Sequence, residues 1–207
     1  MPKPMCSKPV FSVDAESYGL YGDAFAIGVS VRDPLTNIEL DTFFAWHEPG
    51  LVRGFDPASD DAQWLARNVP LFTAEVHGKP KDSPKALREA FWEFFQNWKD
   101  RGVVVVADCG APVEAWLFRQ CVLDAPGRIW NGPFPLHEAA TRRLDKGMDP
   151  TGKDDETVYP RLPGETHLHH PLCDARYSGR VWVALGGGPS TPLKSVKSDA
   201  AEDARSS

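Results

Sequence analysis

The alternation of hydrophobic and polar positions in the first quarter of the chain predicts three consecutive β-strands. Apolar residues dominate positions 10–13 and 23–33, and they alternate in part with polar residues over positions 38–46. A turn rich in Asp, Pro and Asn separates the second run from the third. Strands joined by short connections pair with their neighbours in opposite directions, so this segment predicts an antiparallel meander.

After residue 46 the hydrophobic positions recur with the period of a helix. Predicted helices that open with a capping residue or a proline cover residues 59–68, 85–98, 112–122 and 171–185, with a shorter one from 135 or 136 to 144. Residues 103–107 are apolar throughout, which is typical of a central strand covered on both faces. Residues 145–166 form a predicted polar loop. Strands and helices that alternate around a buried strand indicate an α/β domain with a mixed sheet.

Length and composition are those of one globular domain, with 207 residues of which 42% are hydrophobic and 25% are charged. We expect this domain to span residues 10–185, between a flexible N-terminus (1–9) and a disordered tail (186–207). The net charge of −6 argues against a basic surface that coats nucleic acid. It is compatible with an enzyme that has an acidic metal centre, because bound metals reverse the local field.

Cysteine usage and the absence of long apolar segments bear on the compartment. Four cysteines occur without a C-x-x-C pair or a regular spacing: Cys6, Cys109, Cys121 and Cys173. We expect them to be reduced thiols of an intracellular protein. Residues 1–9 contain no apolar signal core, and no stretch approaches the length of a membrane span. These features predict a cytoplasmic protein with no membrane partner.

Two carboxylates stand directly after the first apolar run. Asp14 and Glu16 are two positions apart, so on a strand they point to the same face. Two negative charges side by side on a buried strand need a positive partner, and carboxylate oxygens are preferred ligands of Mg²⁺ and Mn²⁺. The alternative is a pair of solvated acids at the end of a strand.

Two further acidic residues follow the predicted buried strand. Asp108 stands at its carboxyl end, and Glu114 stands in the first turn of the next helix. Because α/β folds place their sites at the carboxyl ends of central strands, both are candidate ligands. In a purely structural interpretation, Asp108 is a turn residue and Glu114 is favoured there by the helix dipole.

A group of histidines precedes the last predicted helix. Because Pro171 suits the first helical position, His169 lies in the loop before the helix and Asp174 in its opening turns. This arrangement pairs a fixed carboxylate with a more mobile imidazole, which can act as a base near neutral pH. One alternative is a structural histidine cluster. Another is a zinc site formed by His167, His169, His170 and Cys173, although no second Cys/His cluster is present to complete it.

Taken together, these segments resemble the motifs of the DEDDh branch of the proofreading-type (DnaQ-like) 3′–5′ exonucleases, which have an RNase H-like core. Residues 13–20 read V-D-A-E-S-Y-G-L, where the family has an apolar strand ending in D-x-E-[TS]-x-G-L. Residues 169–175 read H-H-P-L-C-D-A and fit the family pattern H-x-[AP]-L-x-D-A. The second motif departs from the pattern, because Glu114 stands where the family has an aspartate and Asp108 is the second choice. The resemblance covers residues 10–185.

The resemblance implies an RNase H-like mixed sheet, with a three-stranded meander plus parallel strands, flanked by helices. It also implies a metal-dependent 3′–5′ exonuclease that releases nucleoside 5′-monophosphates from the 3′ ends of single-stranded RNA or DNA. Two Mg²⁺ or Mn²⁺ ions would be held by Asp14, Glu16, Asp174 and Glu114 or Asp108, with His169 as the general base. Ser17, Tyr18, Gly19 and Leu20 would contact the terminal nucleotide, with Tyr18 as a stacking surface. Candidate phosphate contacts at the rim are Arg142, Arg143, Arg161, Arg176 and Arg180.

Two other functions remain open at this point. The altered second motif is compatible with a relative that binds nucleic acid without cleaving it. The same metal centre could also serve a phosphodiesterase of short oligonucleotides or dinucleotides. Exonucleases of this kind often form homodimers, so the resemblance leaves a homodimer open as well.

Overall fold

A computed structural model describes residues 8–153 and 155–186 of the chain. Most of the predicted flexible N-terminus (1–7) and nearly all of the predicted disordered tail (187–207) lie outside the described residues.

Five strands form one mixed sheet in the order β3-β2-β1-β4-β5. Their bounds are Val10–Ser17 (β1), Ala24–Arg32 (β2), Glu39–Trp46 (β3), Val104–Ala107 (β4) and Leu136–Glu138 (β5). Strands β1, β2 and β3 pair in antiparallel fashion, which confirms the predicted meander. Strand β4 pairs with β1 in parallel and β5 pairs with β4 in parallel, so the predicted mixed sheet is confirmed with β1 at its centre.

Seven α-helices accompany the sheet in the described part of the chain. They are Asp60–Asn68 (α1), Ala74–His77 (α2), Pro84–Lys99 (α3), Val113–Asp124 (α4), Ala139–Asp145 (α5), Asp155–Val158 (α6) and Pro171–Leu185 (α7). The hydroxyls of Ser59 and Ser83 accept hydrogen bonds from the backbone N–H groups of Ala62 and Ala86, so both serines cap their helices as predicted.

Two parts of the prediction are wrong in the second half of the chain. The helix expected from residue 135 or 136 begins only at Ala139, because Leu136–Glu138 instead forms strand β5. The free edge of β4 offers backbone hydrogen bonds to this segment, and local hydrophobic periodicity does not show such a distant partner. The polar loop predicted over 145–166 contains the short helix α6.

One face of the sheet is covered by α3 and α4 through an aromatic core. The ring of Phe11 on β1 lies 5.6 Å from that of Phe95 and 6.5 Å from that of Phe91. Phe118 of α4 lies 5.1 Å from Phe95 and 5.3 Å from Phe91. The hydrophobic side chains that recur with a helical period over residues 85–98 therefore form the core of this layer.

Helix α7 covers the opposite face and crosses β1 at very short range. A Cβ atom on Gly179 would lie 2.8 Å from the Cβ atom of Ser12, so only glycine allows this approach. Because side chains alternate along a strand, Ser12, Asp14 and Glu16 all point to the α7 face, whereas Phe11 and Val13 point to α3 and α4. The fold thus directs the acidic residues of β1 toward the helix that carries Asp174.

Two general properties concern the whole described part of the chain. Its cysteines, Cys109, Cys121 and Cys173, are free thiols. None of its helices combines the length and apolar character needed to cross a membrane.

Candidate active site

Three carboxylates converge where β1 meets the start of α7. Strand β1 continues to Ser17, so Asp14 and Glu16 lie in its second half, at the end of the first strand as predicted. Asp174 lies in the first turn of α7. One oxygen from each of the three carboxylates can be chosen so that all three oxygens lie within 4.8 Å of one another. The tertiary fold therefore brings together side chains that are far apart in the sequence.

A glycine on β2 makes this convergence sterically feasible. Gly28 pairs with Asp14 across the sheet. A Cβ atom at this position would lie 2.1 Å from the backbone nitrogen of Leu172 and 2.5 Å from its Cα atom. Because these neighbours are backbone atoms, no side-chain movement could relieve the overlap. Gly28 therefore allows the first turn of α7 to rest on β2 beside Asp14.

The carboxylates raise one another's pKa values. Burial is the main cause of the raised pKa of Glu16, which reaches about 8, and the charges of Asp174 and Glu114 add to it. The pKa of Asp14 is also raised well above its ordinary value, first by burial and then by Glu114 and Asp174. Buried like charges disfavour ionisation, and a bound cation would reverse this effect. A positively charged group bound at this site would therefore favour the ionised carboxylates.

Arg161 already supplies one such positive charge. Its Nη1 atom lies 2.8 Å from Oδ1 of Asp174. Burial raises the pKa of Asp174, while the charge and hydrogen bond of Arg161 lower it. The guanidinium is held in place by the carbonyl oxygen of Glu165 at 2.7 Å and by the ring of Tyr177, whose centroid is 4.3 Å away. Arg161 therefore neutralises and orients the carboxylate of Asp174.

The two candidates for a fourth acidic residue occupy different environments. Glu114 is only 5% exposed, and its Oε1 atom accepts a hydrogen bond of 3.2 Å from the N–H group of Ala15, between Asp14 and Glu16. Burial raises the pKa of Glu114 to about 7. Asp108 instead pairs with Nη1 of Arg143 at 2.7 Å, so its charge is already balanced. Both positions relative to β4 and α4 are as predicted.

His169 stands in the loop before α7, as the sequence predicted. Its Nδ1 atom is 3.7 Å from Oε1 of Glu16, and the imidazole is partly exposed. The backbone has a φ of 57°, an uncommon value for a residue other than glycine. The indole of Trp64 contacts the imidazole edge to face, with 5.0 Å between the ring centroids. The chain thus presents an accessible imidazole directly beside the carboxylates.

The neighbouring histidine has a different environment. The ring of His170 packs against Phe44, Phe72 and His77, with centroid distances of 4.8, 5.5 and 5.5 Å. Burial, followed by the charge of His77, lowers the pKa of His170 to about 4. His170 therefore has the structural role that the sequence offered as an alternative, whereas His169 does not take part in this packing. Across the described residues, the only grouping of three or more Asp, Glu, His or Cys side chains with metal-binding spacing is Asp14, Glu16 and Asp174, so the zinc alternative gains no support.

The convergent residues face a cleft of about 360 Å³. The charged residues and the histidine that line it are Asp14, Glu16, Asp108, Arg143, Lys153, Glu156, Arg161, His169 and Asp174. Sequence reasoning missed Lys153, Leu168 and the contact of Trp64. Lys153 lies in an irregular loop, and the helical period of α1 alone does not indicate that Trp64 faces a residue of another segment.

The predicted nucleotide-contacting segment, residues 17–20, follows Glu16 but lies outside the lining of the cleft. The hydroxyl of Ser17 donates a 2.7 Å hydrogen bond to the carbonyl of Gly19. Tyr18 shares a 2.6 Å hydrogen bond with the hydroxyl of Ser59, and its ring packs on Phe55, so it anchors a loop here, while its stacking on a base stays a prediction. Leu20 is exposed.

The predicted rim arginines divide into two groups. Arg143 and Arg161 line the cleft, and each pairs with an aspartate. Arg142, Arg176 and Arg180 do not line it. Arg176 pairs with Glu39 at 3.0 Å, Arg180 pairs with Glu165 at 2.7 Å, and Arg142 stacks on Trp182. These last three arginines take part in the packing of α7, and their contact with phosphate stays a prediction.

Comparison with known proteins gives structural neighbours but no sequence relatives. No protein-family model matches the chain, and no curated protein matches it. A full-length 3′-exonuclease is similar with a TM-score of 0.50 and 14% identity, over 86% of this chain and 80% of that one. A 3′-exonuclease that recognises the 3′ end of a histone mRNA stem-loop has a TM-score of 0.49 and 14% identity, over 86% and 81% of the two chains. The nuclease domain of 3′hExo, a DEDDh family member bound to rAMP, has a TM-score of 0.45 and 15% identity, over 86% and 90%.

The likeness to the full-length 3′-exonuclease bears on the fold alone, because the sequence identity is low. The mixed five-stranded sheet flanked by helices and the match to the full-length 3′-exonuclease agree with the RNase H-like architecture implied by the motifs. The chain therefore has a fold similar to that of a 3′-exonuclease, which confirms the predicted fold.

Proposed function

We propose that this protein is a metal-dependent 3′–5′ exonuclease that hydrolyses the terminal phosphodiester of single-stranded RNA or DNA to a nucleoside 5′-monophosphate. The observation that carries the proposal is the convergence of Asp14, Glu16 and Asp174 within 4.8 Å, with His169 3.7 Å from Glu16. The fold shared with 3′-exonucleases supports it.

The donor set fits divalent cations of the hard type. All three converging side chains offer carboxylate oxygens, which are preferred ligands of Mg²⁺ and Mn²⁺. Burial first, and then the charges of neighbouring carboxylates, raises the pKa values of Asp14 and Glu16, so a bound cation would favour their ionised forms. When bound, two such ions would activate water and stabilise the charge that develops on the scissile phosphate. Asp14, Glu16 and Asp174 would hold them.

We favour Glu114 as the fourth carboxylate and keep Asp108 as the second choice. Glu114 is the largest charged contributor to the raised pKa of Asp14, which indicates that its carboxylate acts strongly on the cluster. Asp108 comes last among the charges that raise the pKa of Asp14, so its carboxylate acts less strongly on the cluster.

His169 has the position required of the general base. Its exposed imidazole stands beside Glu16, whose carboxylate can orient the ring so that one nitrogen faces the cleft. The free nitrogen can then take a proton from the attacking water. Lys153 lies on the cleft wall, where its ammonium can bind a phosphate oxygen of the substrate.

A second candidate, hydrolysis of dinucleotides and short oligonucleotides, is favoured by the size of the cleft. A volume of about 360 Å³ lies near the lower end of small-molecule sites, so one nucleotide occupies most of it. Turnover of a dinucleotide compared with that of longer oligomers distinguishes this activity from an exonuclease acting on long strands.

The test uses 5′-labelled single-stranded RNA and DNA, with and without Mn²⁺. We expect a ladder that shortens from the 3′ end only when Mn²⁺ is present. His169→Ala should slow this shortening by about 10² to 10⁴-fold, the usual contribution of a general base. His167→Ala is the matched control, because it removes an exposed imidazole from the same loop outside the cleft lining. Tight binding of the strands without any Mn²⁺-dependent cleavage would refute the proposal in favour of a non-catalytic binding protein.

A further inference from the structure

A second groove lies at the opposite end of the sheet from the carboxylate cleft. It has a volume of about 550 Å³ and sits beside the amino end of β4, whereas Asp108 follows the carboxyl end of that strand. Phe95 and residues 103–105 contribute to its lining, and the segment 130–135 forms another part of it. Nothing in the catalytic proposal uses this groove.

Two aromatic rings beside the groove are almost fully exposed. Trp130 is 90% exposed and Phe134 is 99% exposed, and both line the groove. The segment that carries them is tied to α3, because the carbonyl oxygen of Asn131 accepts hydrogen bonds from Lys99 at 2.8 Å and from Gln96 at 3.3 Å. Large aromatic surface held in water is unfavourable, and contiguous exposed apolar surface commonly marks a binding site.

The charge of the groove favours an anionic ligand. Among the described residues that line it are Lys8 and Lys99 and no carboxylate, on a chain whose net charge is −6. Flat aromatic rings beside ammonium groups match the two parts of a single-stranded nucleic acid, its bases and its phosphates. We propose that this groove is a second binding site for single-stranded nucleic acid, with bases stacked on Trp130 and Phe134 and phosphates bound by Lys8 and Lys99.

The same observations disfavour two other occupants. In a two-fold symmetric dimer centred on the groove, a lining that contains lysines and no carboxylate would face an identical lining, so the interface would gather positive charge. An acidic peptide would satisfy the lysines, but it offers no series of flat π faces for the two exposed rings.

This inference rests on the proposed nuclease function, since it assigns the groove to the part of the strand that is remote from the reacting 3′ end. Its consequence is a dependence on length. A strand long enough to occupy both sites binds more tightly than a dinucleotide, because the second contact is made within the same complex. The cleft alone determines the hydrolysis of a dinucleotide.

The experiment measures binding and hydrolysis separately. Fluorescence anisotropy with a labelled single-stranded RNA of about 20 nucleotides, in EDTA, gives the dissociation constant without cleavage. The double variant Trp130→Ala/Phe134→Ala should raise this constant at least about fivefold, since loss of one stacked base has an effect of this size or larger. Dinucleotide hydrolysis in Mn²⁺ should stay unchanged. The matched control, Leu71→Ala/Val76→Ala, removes exposed apolar side chains outside the groove and should bind like the original protein.

The variant Lys8→Gln provides an independent test that leaves the aromatic segment intact. It should weaken RNA binding and reduce the salt dependence of the dissociation constant, because one phosphate contact is lost. Far-UV circular dichroism verifies that each variant is folded.

Several results would overturn the groove assignment. Unchanged RNA affinity in both groove variants would do so, as would a protein that binds no strand at all. A dimer by sedimentation that becomes a monomer in Trp130→Ala/Phe134→Ala would assign the surface to a second copy of the chain. Preferential binding of a labelled acidic peptide of equal charge would assign it to a protein partner. Groove-dependent RNA binding in a protein that never hydrolyses a dinucleotide or a strand would refute the nuclease proposal alone.

Discussion

Raising the pH without divalent cations should destabilise the folded protein, because the carboxylates of the cleft must then lose protons while they lie close together. Burial and neighbouring charges raise the pKa of Glu16 to about 8, and burial raises that of Glu114 to about 7, from ordinary values of 4.5. Such groups hold their protons more tightly in the folded state than in the unfolded chain. Their contribution to stability is present at low pH and is lost as the pH rises through the folded pKa.

The size of the effect follows from these two pKa values. Between about pH 6.5 and pH 8.5, Glu16 loses most of one proton in the folded protein, whereas it is already ionised in the unfolded chain. At about 1.4 kcal/mol per unit this removes about 2 kcal/mol, and Glu114 removes about 1 kcal/mol more. The corresponding fall in Tm is about 6 to 12 °C for a chain of this size.

The pH range from about 6.5 to 8.5 lies above the range in which His170 changes stability in the opposite direction. Burial lowers the pKa of His170 to about 4 from an ordinary value of 6.5, so protonation of this ring destabilises the fold as the pH falls below about 6.5. Measurements above that pH therefore report on the carboxylates with little contribution from His170.

Thermal unfolding followed by circular dichroism in EDTA measures the effect, with a parallel series in Mn²⁺. We expect the fall in Tm in EDTA and a smaller fall in Mn²⁺, since a bound cation stabilises the ionised cluster. Glu16→Gln should reduce the fall in Tm between about pH 6.5 and pH 8.5 by about two thirds, because it removes the carboxylate that contributes about 2 of the 3 kcal/mol. Glu93→Gln is the matched control, since it replaces an exposed glutamate of α3. A Tm that stays constant in EDTA, or that falls equally in Glu16→Gln, would falsify the account of a buried, mutually repelling cluster.

Two further predictions concern the groups that bring the site together. Gly28→Ala should cost about 1 to 3 kcal/mol or more in urea unfolding, because its Cβ atom would overlap the backbone of α7, whereas Gly127→Ala, with open space around it, should be nearly neutral. Arg161→Met should lower stability in EDTA by about 3 kcal/mol, because it leaves Asp174 buried without its cation, and Mg²⁺ should recover part of this loss. Arg176→Met, in a more exposed ion pair away from the cleft, should show a smaller loss that Mg²⁺ does not change; equal responses of the two variants to Mg²⁺ would contradict the role given to Arg161.

Much of the fold could be predicted from local patterns because those patterns are produced by burial. The three-stranded meander, the apolar strand β4 and the aromatic stripe of α3 each have a periodicity that follows from which face meets the core. Strand β5 could not be recognised in this way. It has three half-buried residues, and its conformation is set by pairing with β4, a partner about thirty positions earlier in the chain.

Part of the candidate site could likewise be predicted from local patterns, and part depends on tertiary contacts. Motif spacing alone singled out Asp14, Glu16, His169 and Asp174, because a strand fixes residues at i and i+2 on one face and a proline fixes where a helix begins. Their catalytic roles remain predictions. The choice between Glu114 and Asp108 also remains a prediction, because it depends on where each side chain lies relative to the cluster, which the sequence does not give.

The sequence by itself determined which residues are acidic, which face of β1 they occupy and which helix carries the third carboxylate. Only the tertiary structure decided that these groups meet. Gly28 on β2 lets the backbone of α7 lie beside Asp14, and the distance between two elements so far apart in the chain cannot be inferred from local periodicity. The tertiary structure also decided the electrostatics of the carboxylate cluster. Burial and mutual repulsion, together with the pairing of Arg161 to Asp174, arise only when residues far apart in the chain share one small volume.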